Sequence, residues 1–595
     1  MNLKLEIKKE VEKILRTSSL LEYDEIIETL EEPPSPEMGD LSTNISFRLA
    51  NKLRKSPVKI SEDIFKEINI QKNPLIDRIE TKNGYINFFF NYENLAEKLL
   101  KSILKEGERY GSSDIGKGKE VLIEYSAPNP NKPMHIGHIR NNFIGMSLVK
   151  ILDFSGYKTH PVNWINDRGA HICKSLWGYL QFGRKNGNEI RNWKILLKEW
   201  TKKPDDWFKP TDIGKKPDHF VMDFYVKANN LMEEIEEYEK ENREILKEWE
   251  EGNPDVRKLW KTLNEWVYEG WQETYKRQGC VFERFYFESD LYNRGKEIVM
   301  ENMKNGIFKK TEKGTIIADL EKHGLPGLVF IRSDGTSLYS TADIALTERK
   351  VKDYPNSKLI WVVGNAQNLY FQQLFTLFEL IGIVRKENCY HLGYGMVSLP
   401  EGKMSSRKGT VVLADDVMDR VKEMVEKEIE ERNQDIEEDK KSEIAEKISL
   451  GAIKFAMLKV DAFKDIVFNP KEVISFEGKT GPYLQYSYVR AEKILQKAGK
   501  FKEKFESKLT VEEINLIKKL MEFPEIVEKA SKEYKPNLIA NYGFELAEMF
   551  NVFYQKCPVL HTEEEKEFRL TLVKSFKITI KNCMNLLGIE TPELM

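Results

Sequence analysis

The spacing of hydrophobic residues changes character twice along the chain and divides its 595 residues into three regions. Residues 1–112 combine two segments of helical periodicity, Lys4–Leu15 and Leu95–Glu106, with an aromatic strand at Tyr85–Phe90. The turn residues Asn83–Gly84 stand directly before that strand. This mixture predicts a separate N-terminal α+β domain.

The second region, residues 113–416, alternates short apolar strands with helices, as in a parallel α/β sheet. The alternation breaks at about 181–330, a stretch rich in Trp, Lys and Glu. Within it, Asn230–Glu251 predicts one long helix with a solvated, charged face. We therefore expect a Rossmann-type domain with an insertion at about 181–330. The predicted strands are Val121–Tyr125, Thr159–Trp164, Leu359–Val363 and Tyr390–Val397.

The third region, residues 417–595, is predicted to be almost entirely helical. The fold class expected for the whole chain is therefore multidomain, α/β followed by all-α. The predicted helices are Asp419–Glu446, Gly481–Gln496, Val511–Glu533, Leu538–Tyr554 and Glu565–Leu587.

Composition narrows the class of protein. No apolar run approaches the length that spans a membrane, and the N-terminus carries no secretion signal, so we expect a cytoplasmic protein without membrane partners. None of the five cysteines lies in a Cys-x-x-Cys pair, which argues against disulfides and against structural zinc. The net charge of −3 neither supports nor excludes RNA binding, because local basic surfaces bind RNA.

The first chemical motif is the turn Pro128–His138, which lies between a predicted strand and a predicted helix. Helix N-termini offer unpaired N–H groups and a partial positive charge, which suit phosphate. His135 and His138 lie three residues apart and so share one face of the first helical turn. Gly137 leaves room for a flat group beside the backbone. The motif predicts a nucleotide site.

The second motif is the loop Lys403–Gly409, which holds three cations and two hydroxyl groups. Such a loop can supply donors to a polyphosphate. Alone it is weak, because a Lys/Ser/Arg-rich loop is usually only a surface loop.

Together the two motifs resemble those of the class I aminoacyl-tRNA synthetases. His135-Ile136-Gly137-His138 is the HIGH signature letter for letter, and Lys403-Met404-Ser405-Ser406-Arg407 is similar to the KMSKS signature. Five further segments narrow the resemblance to the arginyl-tRNA synthetases, with Asn166 standing where that family commonly has glycine. They are Ser126–Pro133, Asn163–Gly169, Tyr339–Asp343, Gly481–Tyr486 and Leu586–Ile589.

This resemblance implies a reaction in two steps. L-Arginine and ATP would give arginyl-adenylate and pyrophosphate, with Mg²⁺ accompanying ATP and no metal resident in the protein. The arginine would then pass to the 3′-terminal adenosine of tRNA(Arg). The resemblance also implies a monomer that needs bound tRNA before it activates arginine.

Residues around the substrate amino acid follow from the resemblance and, for Glu124, from its place at the end of a strand. Two carboxylates and a phenol suit a guanidinium group, which is planar and has five donors. The alternative for Glu124 is an internal salt bridge, and that for Gln367 is a helix cap. The full set is Glu124, Ala127, Pro128, Asn129, His138, Tyr339, Asp343 and Gln367.

Residues that handle ATP form a second set. The motif lacks its second lysine, since Ser406 and Arg407 occupy the last two positions, and we expect Lys132 or Lys408 to replace that charge. His135, His138, Lys403 and Arg407 would contact ATP. The whole set is Lys132, His135, Gly137, His138, Lys403, Met404, Ser405, Ser406 and Arg407.

Contacts with tRNA are expected at both ends of the chain. Alternate residues of the N-terminal strand, Tyr85, Asn87 and Phe89, share a face that resembles a tRNA-contacting strand. An anticodon-binding helical bundle would use Tyr486, Arg490, Asn551 and Tyr554. Core packing remains the alternative for each of these residues.

Other classes of function are also compatible with the motifs. A different HIGH-type nucleotidyltransferase or a class I synthetase for another amino acid is one alternative. Zinc-binding cysteines would favour a cysteinyl enzyme, and they are absent from the sequence. A catalytically inert RNA-binding relative is the other alternative, and the intact HIGH residues argue against it.

Overall fold

The computed structural model describes residues 2–21, 26–68, 73–187, 189–400, 412–432 and 437–595. The KMSKS-like residues, Lys403, Met404, Ser405, Ser406 and Arg407, and the neighbouring Lys408 lie outside the described residues. Among the helices of the described segments, none is long and apolar enough to cross a membrane.

Within the described part of the first region, a four-stranded antiparallel sheet of order β1-β2-β4-β3 packs with helices. The aromatic strand β4 has the predicted bounds, and its partners β2 and β3 flank it on both sides. The elements are α1 Leu3–Leu15, β1 Leu30–Glu31, β2 Leu41–Thr43, α2 Ile45–Leu53, α3 Pro57–Glu67, β3 Ile76–Lys82, β4 Tyr85–Phe90 and α4 Tyr92–Glu106.

The second region contains the larger sheet and the insertion. Its elements are β5 Glu120–Glu124, α5 Ile136–Phe154, β6 Lys158–Ile165, α6 Ala170–Phe182, α7 Trp193–Lys202, α8 Pro217–Glu234, α9 Glu236–Glu250, α10 Pro254–Gln278, β7 Arg284–Phe287, α11 Glu288–Met303, β8 Phe308–Lys310, β9 Ile316–Ala318, β10 Leu328–Ile331, α12 Tyr339–Asp353, β11 Lys358–Gly364, α13 Asn368–Leu380, β12 Cys389–Tyr394 and β13 Val397–Ser398.

The sheet of this region is parallel, with the strand order β12-β11-β5-β6-β7 among the described residues. The chain builds outward from β5 on one side through β6 and on the other through β11. This reversal is a topological switch point, and its crevice lies beyond the carboxyl ends of β5 and β11. The predicted α/β fold is confirmed, and in folds of this kind a ligand is expected at that crevice.

The segment expected to be an insertion, about 181–330, contains a strand of the parallel sheet. Strand β7 pairs with β6, Val162 opposite Arg284, so the helices α7–α10 form one excursion before β7. The short antiparallel sheet β10-β9-β8 forms another excursion after α11. Four residues of β7 are too few for the hydrophobic pattern to reveal.

The single long helix predicted at Asn230–Glu251 is wrong. Ile235 is extended, with φ −124° and ψ 104°, and separates α8 from α9. Both helices pack against α6. The break carries no Gly or Pro signal, because it is imposed by the partner that the two helices share.

The third region is helical as predicted, and α18 has the predicted bounds. Strand β14 pairs with β13 and ties this region to the sheet domain. The elements are α14 Ala414–Arg432, α15 Glu438–Leu458, β14 Ile466–Val467, α16 Pro470–Val473, α17 Gly481–Ala498, α18 Val511–Glu533, α19 Pro536–Lys556 and α20 Lys566–Leu586.

Candidate active site

The turn after β5 has a strained backbone that two asparagine side chains hold in place. Ser126 and Ala127 have positive φ values of 77° and 48°, which side-chain-bearing residues rarely adopt. The Ser126 N–H donates to Asn141 Oδ1 at 2.6 Å, and the Ala127 N–H donates to Asn163 Oδ1 at 2.9 Å. Two buried amides therefore fix the turn at the switch point.

The two histidines of the HIGH motif cap the start of α5. Nδ1 of His135 accepts from the Gly137 N–H at 3.1 Å, and Nδ1 of His138 accepts from the His135 N–H at 3.1 Å. The ring centroids are 4.0 Å apart. Because each Nδ1 accepts, each neutral ring carries its proton on Nε2 and can donate it to a ligand.

Both histidines are neutral at physiological pH. Burial and the nearby Lys132 ammonium lower the pKa of His135 to about 4. Burial, His135 and Lys132 hold the pKa of His138 well below its usual range. The pair therefore supplies hydrogen-bond donors rather than fixed charge.

Gly137 is required by His135 itself. A Cβ at position 137 would lie 2.9 Å from Cε1 and 3.0 Å from Nδ1 of the His135 ring. The His135 ring is therefore one flat group that needs this glycine, and the approach of a nucleotide beside it stays a prediction.

Lys132 supplies the positive charge beside the histidines. It is half-buried, and burial lowers its pKa. Burial lowers the pKa of His171 on α6, and the Lys132 charge adds to that effect. No carboxylate among the described residues lies within 4 Å of its Nζ, so this ammonium is available to an anionic ligand.

The amino-acid side of the crevice is formed by α12. Tyr339 and Asp343 lie one turn apart on this helix, as predicted, and Tyr339 is 57% exposed. The Tyr370 hydroxyl donates to Asp343, and the rings of Tyr339 and Tyr370 meet edge to face at 5.1 Å. Burial, with a contribution from Glu124, raises the pKa of Asp343 to about 6.

Glu124 is buried at the end of β5, and its Oε2 forms an ion pair with the buried Lys350 of α12. Lys350 lies two turns after Asp343 on α12, and its charge opposes the rise that burial causes in the Asp343 pKa. The contact is the internal salt bridge that we kept as the alternative for Glu124. Its role toward arginine stays a prediction.

The remaining residues predicted to contact the substrate amino acid lie on the turn after β5 and just before α13. Ala127 and Asn129 are exposed on the turn after β5, whereas Pro128 is buried. Gln367 is exposed at the start of α13, beyond β11, and its side chain makes no capping hydrogen bond. The helix-cap alternative for Gln367 is therefore not what the structure shows.

Two acidic residues that the sequence did not single out for the site lie at the loop after β6: Asp167, which is buried in that loop, and Glu288, which is half-buried at the start of α11 and contacts the loop through Arg168. Asp167 accepts from the N–H and hydroxyl of Ser289 at 2.9 and 2.7 Å, and burial raises its pKa to about 6. Burial raises the pKa of Glu288 to about 7. The Asn166 amide donates to Glu288 when its nitrogen faces that carboxylate, which gives the unexpected asparagine a partner.

The chain just after the KMSKS-like residues returns to the HIGH motif. The Ile136 N–H donates to the Val412 carbonyl at 3.1 Å, and the Ala414 N–H donates to the Met134 carbonyl at 2.8 Å. His135 and Leu413 form an antiparallel bridge between these bonds. The two motifs are thus joined through backbone on the C-terminal side of the loop.

Comparison with known protein families agrees with this geometry. Residues 99–470 match the model described as tRNA synthetases class I (R), catalytic domain. Residues 1–90 match the arginyl tRNA synthetase N terminal domain, and residues 484–595 match the DALR anticodon binding domain.

The chain belongs to the arginyl-tRNA synthetase family. It is 40% identical over 583 residues to an arginine–tRNA ligase of Treponema denticola, covering 95% of this chain and 94% of that protein. It is 37% identical over 591 residues to an arginine–tRNA ligase of Borrelia hermsii, covering 97% and 95% of the two chains. The predicted family is confirmed.

Solved arginyl-tRNA synthetases share the fold. The Thermus thermophilus enzyme matches with a TM-score of 0.73 and 26% identity over 95% of this chain and 96% of that chain. The Plasmodium falciparum enzyme matches with a TM-score of 0.76 and 21% identity over 99% of each chain.

In this synthetase, the N-terminal residues predicted to meet tRNA differ in exposure. Tyr85 is 36% exposed and packs on the exposed Phe47, with ring centroids 4.9 Å apart. Asn87 is buried and accepts from the Ser42 hydroxyl at 2.8 Å. Phe89 is buried under Arg78, 3.7 Å from its ring centroid. The exposed aromatic pair includes Phe47, which the sequence pattern did not single out.

The four C-terminal residues predicted to meet tRNA lie together on α17 and α19. Arg490 donates to the Tyr486 hydroxyl and to Asn551 Oδ1, the latter at 2.7 Å. Its guanidinium lies 4.5 Å from the Tyr486 ring centroid and 5.3 Å from that of Tyr554. Asn551 is buried, whereas Tyr554 is 39% exposed. We call these four residues the arginine–tyrosine cluster.

Proposed function

We propose that this protein joins L-arginine to the 3′-terminal adenosine of tRNA(Arg) at the crevice beyond β5 and β11, using ATP. The observation that carries the proposal is the meeting of two opposite sets of groups at one sheet edge. Two histidine donors and Lys132 are suited to phosphate, and Asp343 with Tyr339 is suited to a guanidinium. Family membership supports the same reaction.

The arginine side of the site selects a forked, cationic side chain. Asp343 accepts a hydrogen bond from the Tyr370 hydroxyl, and the Tyr370 ring packs against the exposed ring of Tyr339. A guanidinium bound there would satisfy the carboxylate and stack against a phenol. Lysine would leave part of this polar surface unpaired, so no separate editing step is needed.

The ATP side works by positioning and charge stabilisation, without a covalent intermediate on the protein. In the first step the arginine carboxylate attacks the α-phosphorus, and pyrophosphate leaves. The Nε2–H groups of His135 and His138 would donate to phosphate oxygens, and Lys132 would offset the charge of the leaving group. Mg²⁺ would enter with ATP, bound chiefly through its phosphates.

Binding of tRNA would use both ends of the chain. The exposed Phe47–Tyr85 pair offers a surface on which an unpaired base can stack, and the arginine–tyrosine cluster offers another. The cluster lies in the segment that matches an anticodon binding domain. We expect arginine activation to require this bound tRNA.

The decisive experiment is ATP–pyrophosphate exchange with each of the twenty amino acids, with and without total tRNA. Of the twenty amino acids, we expect only arginine to support exchange, and we expect it to do so only when tRNA is present. Exchange with a different amino acid would contradict the substrate assignment. Robust exchange in the absence of tRNA would contradict only the tRNA requirement.

Lys132 is the first residue to test within this function. We expect Lys132→Ala to slow exchange about 100-fold while changing the KM for arginine by less than about threefold, because the lost charge acts on pyrophosphate. Lys119→Ala is the matched control, since Lys119 is an exposed lysine before the opposite end of β5. An unchanged exchange rate in Lys132→Ala, with a slowed rate in Lys408→Ala, would assign the charge to Lys408.

A further inference from the structure

Helix α10 belongs to the helical excursion, yet one of its faces is buried and polar. Trp271, Thr274, Tyr275 and Gln278 are each at most 2% exposed. Their spacing of three, four and seven residues places them on one side of the helix. Polar groups this deeply buried need partners, so their contacts show what this face holds in place.

Three of these side chains contact the turn and the helix that carry the HIGH motif. The Trp271 indole N–H donates to the Lys132 carbonyl at 3.2 Å. The Tyr275 hydroxyl lies 2.7 Å from Ser126 Oγ, at the strained start of the turn. Gln278 Oε1 accepts from Asn142 Nδ2 of α5 at 2.6 Å.

The fourth side chain, Thr274, contacts the segment that returns from the KMSKS-like motif. Its hydroxyl lies 3.1 Å from Oδ1 of Asp415. The other oxygen, Oδ2, accepts from Lys216 Nζ at 2.7 Å and from His219 Nε2 at 2.8 Å. Asp415 is therefore held by three donors, all of them from α8, its cap and α10.

This anchorage leads directly to His135. Asp415 follows Ala414, whose N–H donates to the Met134 carbonyl beside the His135–Leu413 bridge. Helix α10 thus contacts the chain on both sides of His135, before it in sequence and on the segment that pairs with it. It holds the preceding turn through Trp271 and the returning segment through Thr274.

The group around Asp415 is an ion-pair cluster rather than a metal site. Ligand atoms of Asp218, His219 and Asp415 lie within 4.8 Å of one another, which alone would suit a cation. The Lys216 ammonium already lies 2.7 Å from Asp415 and 3.3 Å from Asp218. This ammonium contacts both carboxylates from the place that a cation would take, so the cluster serves to hold the segments together.

We propose that Thr274 and Trp271 are positioning residues for the ATP step of this synthetase. Through Asp415 and the Lys132 carbonyl they set the place of His135 and Lys132 relative to each other. Neither side chain has a hydrogen bond to α12, the helix that carries Tyr339 and Asp343 on the arginine side. The inference rests on the proposed function and adds to it a role for the helical excursion.

Substituting Thr274→Val tests this role, because valine keeps the shape and removes the hydroxyl. We expect the KM for ATP to rise and exchange to slow, together by roughly 10- to 100-fold, as for small misplacements of reacting groups. The KM for arginine should change by less than about twofold. Trp271→Phe should show the same split and serves if Thr274→Val fails to fold.

Two further variants make the outcome decisive. Thr274→Ser retains the hydroxyl and should recover most of the activity. Thr262→Val is the matched control on the same helix, since the Thr262 hydroxyl donates to the Lys258 carbonyl one turn earlier. Equal changes in both KM values, or a Thr274→Ser variant as impaired as Thr274→Val, would overturn the inference.

Equilibrium dialysis with ATP separates this inference from the proposed function. A wild-type protein that binds ATP but shows no exchange with arginine contradicts the function alone. In that case Thr274→Val must still weaken ATP binding while Thr262→Val does not. ATP binding that is the same in wild type and Thr274→Val would contradict the positioning role.

Discussion

Burial sets the protonation of single residues on the two sides of the crevice in opposite ways. It lowers the pKa of His135 to about 4 and that of His138 well below its usual range, so both rings stay neutral donors at physiological pH. It raises the pKa of the Asp343 carboxyl to about 6. Of these three residues, Asp343 therefore titrates closest to physiological pH.

We predict an acid limb in arginine use that follows from Asp343. Below its pKa of about 6 the carboxyl gains a proton and loses the charge that attracts a guanidinium. The value of kcat/KM for arginine should fall about tenfold per pH unit below pH 6, while the KM for ATP stays nearly constant. Initial exchange rates at saturating ATP, measured from pH 5 to pH 8, test this.

Asp343→Asn is the control for that limb. The variant should use arginine poorly at every pH and show no break near pH 6. If the loss of activity at low pH persists in Asp343→Asn, or if it arises from the KM for ATP, a different group titrates. Glu288 is the candidate in that case, because its pKa is about 7.

At the scale of elements, local pattern was enough wherever a segment's own periodicity decides its structure. Strand β4 and helix α18 have the predicted bounds. The sequence pattern did not predict the break between α8 and α9 or the short strand β7, because the structure of both segments depends on the elements that they pack against. The motifs located the HIGH side of the site, whereas the polar face of α10 has partners more than 100 residues away in sequence.

The pairing of α17 with α19 gives a prediction for tRNA. Arg490→Gln should weaken tRNA binding about tenfold. The guanidinium of Arg490 orients Tyr486 and Asn551, and the variant loses both this orientation and one positive charge. ATP binding should not change. Filter binding at two salt concentrations measures the effect.

Lys497→Gln is the matched control for charge, because Lys497 is an exposed lysine on the same helix as Arg490. If both variants lose the same affinity, the arginine–tyrosine cluster contributes only general electrostatic attraction. If neither loses affinity, the cluster is core packing, which was the alternative expected for these residues.

At the scale of the whole molecule, the last residues of the chain pack behind the helix that begins with the HIGH motif. Ser147 of α5 donates to the Leu586 carbonyl at 2.8 Å, and buried Lys454 donates to the Gly588 carbonyl at 2.6 Å. A Cβ at Gly588 would lie 2.4 Å from the Met146 methyl group. The catalytic and anticodon-binding regions therefore share one interior.

Lys454 makes this junction sensitive to pH in a defined direction. Burial lowers its pKa from 10.5 to about 8, so between these values the unfolded chain binds more protons than the folded chain. Folding stability contributed by this group should rise as the pH increases from 8 to 10.5. In Lys454→Met that contribution should vanish.

Urea unfolding of both proteins at pH 7.5, 9 and 10 measures the difference. We expect the gap in unfolding free energy between Lys454→Met and wild type to shrink as the pH rises, by about 1–3 kcal/mol. A gap independent of pH would mean that the ammonium is not held in the folded state as the structure indicates.

The contact between Ser147 and Leu586 also has a consequence for biosynthesis. The two residues are 439 positions apart, so at about 5–20 residues per second the ribosome makes the second roughly 20–90 s after the first. During that interval the second half of α5 lacks its contact with the end of α20. A nascent chain that already contains every residue predicted for the ATP site gains this support for α5 only when its last helix has been made.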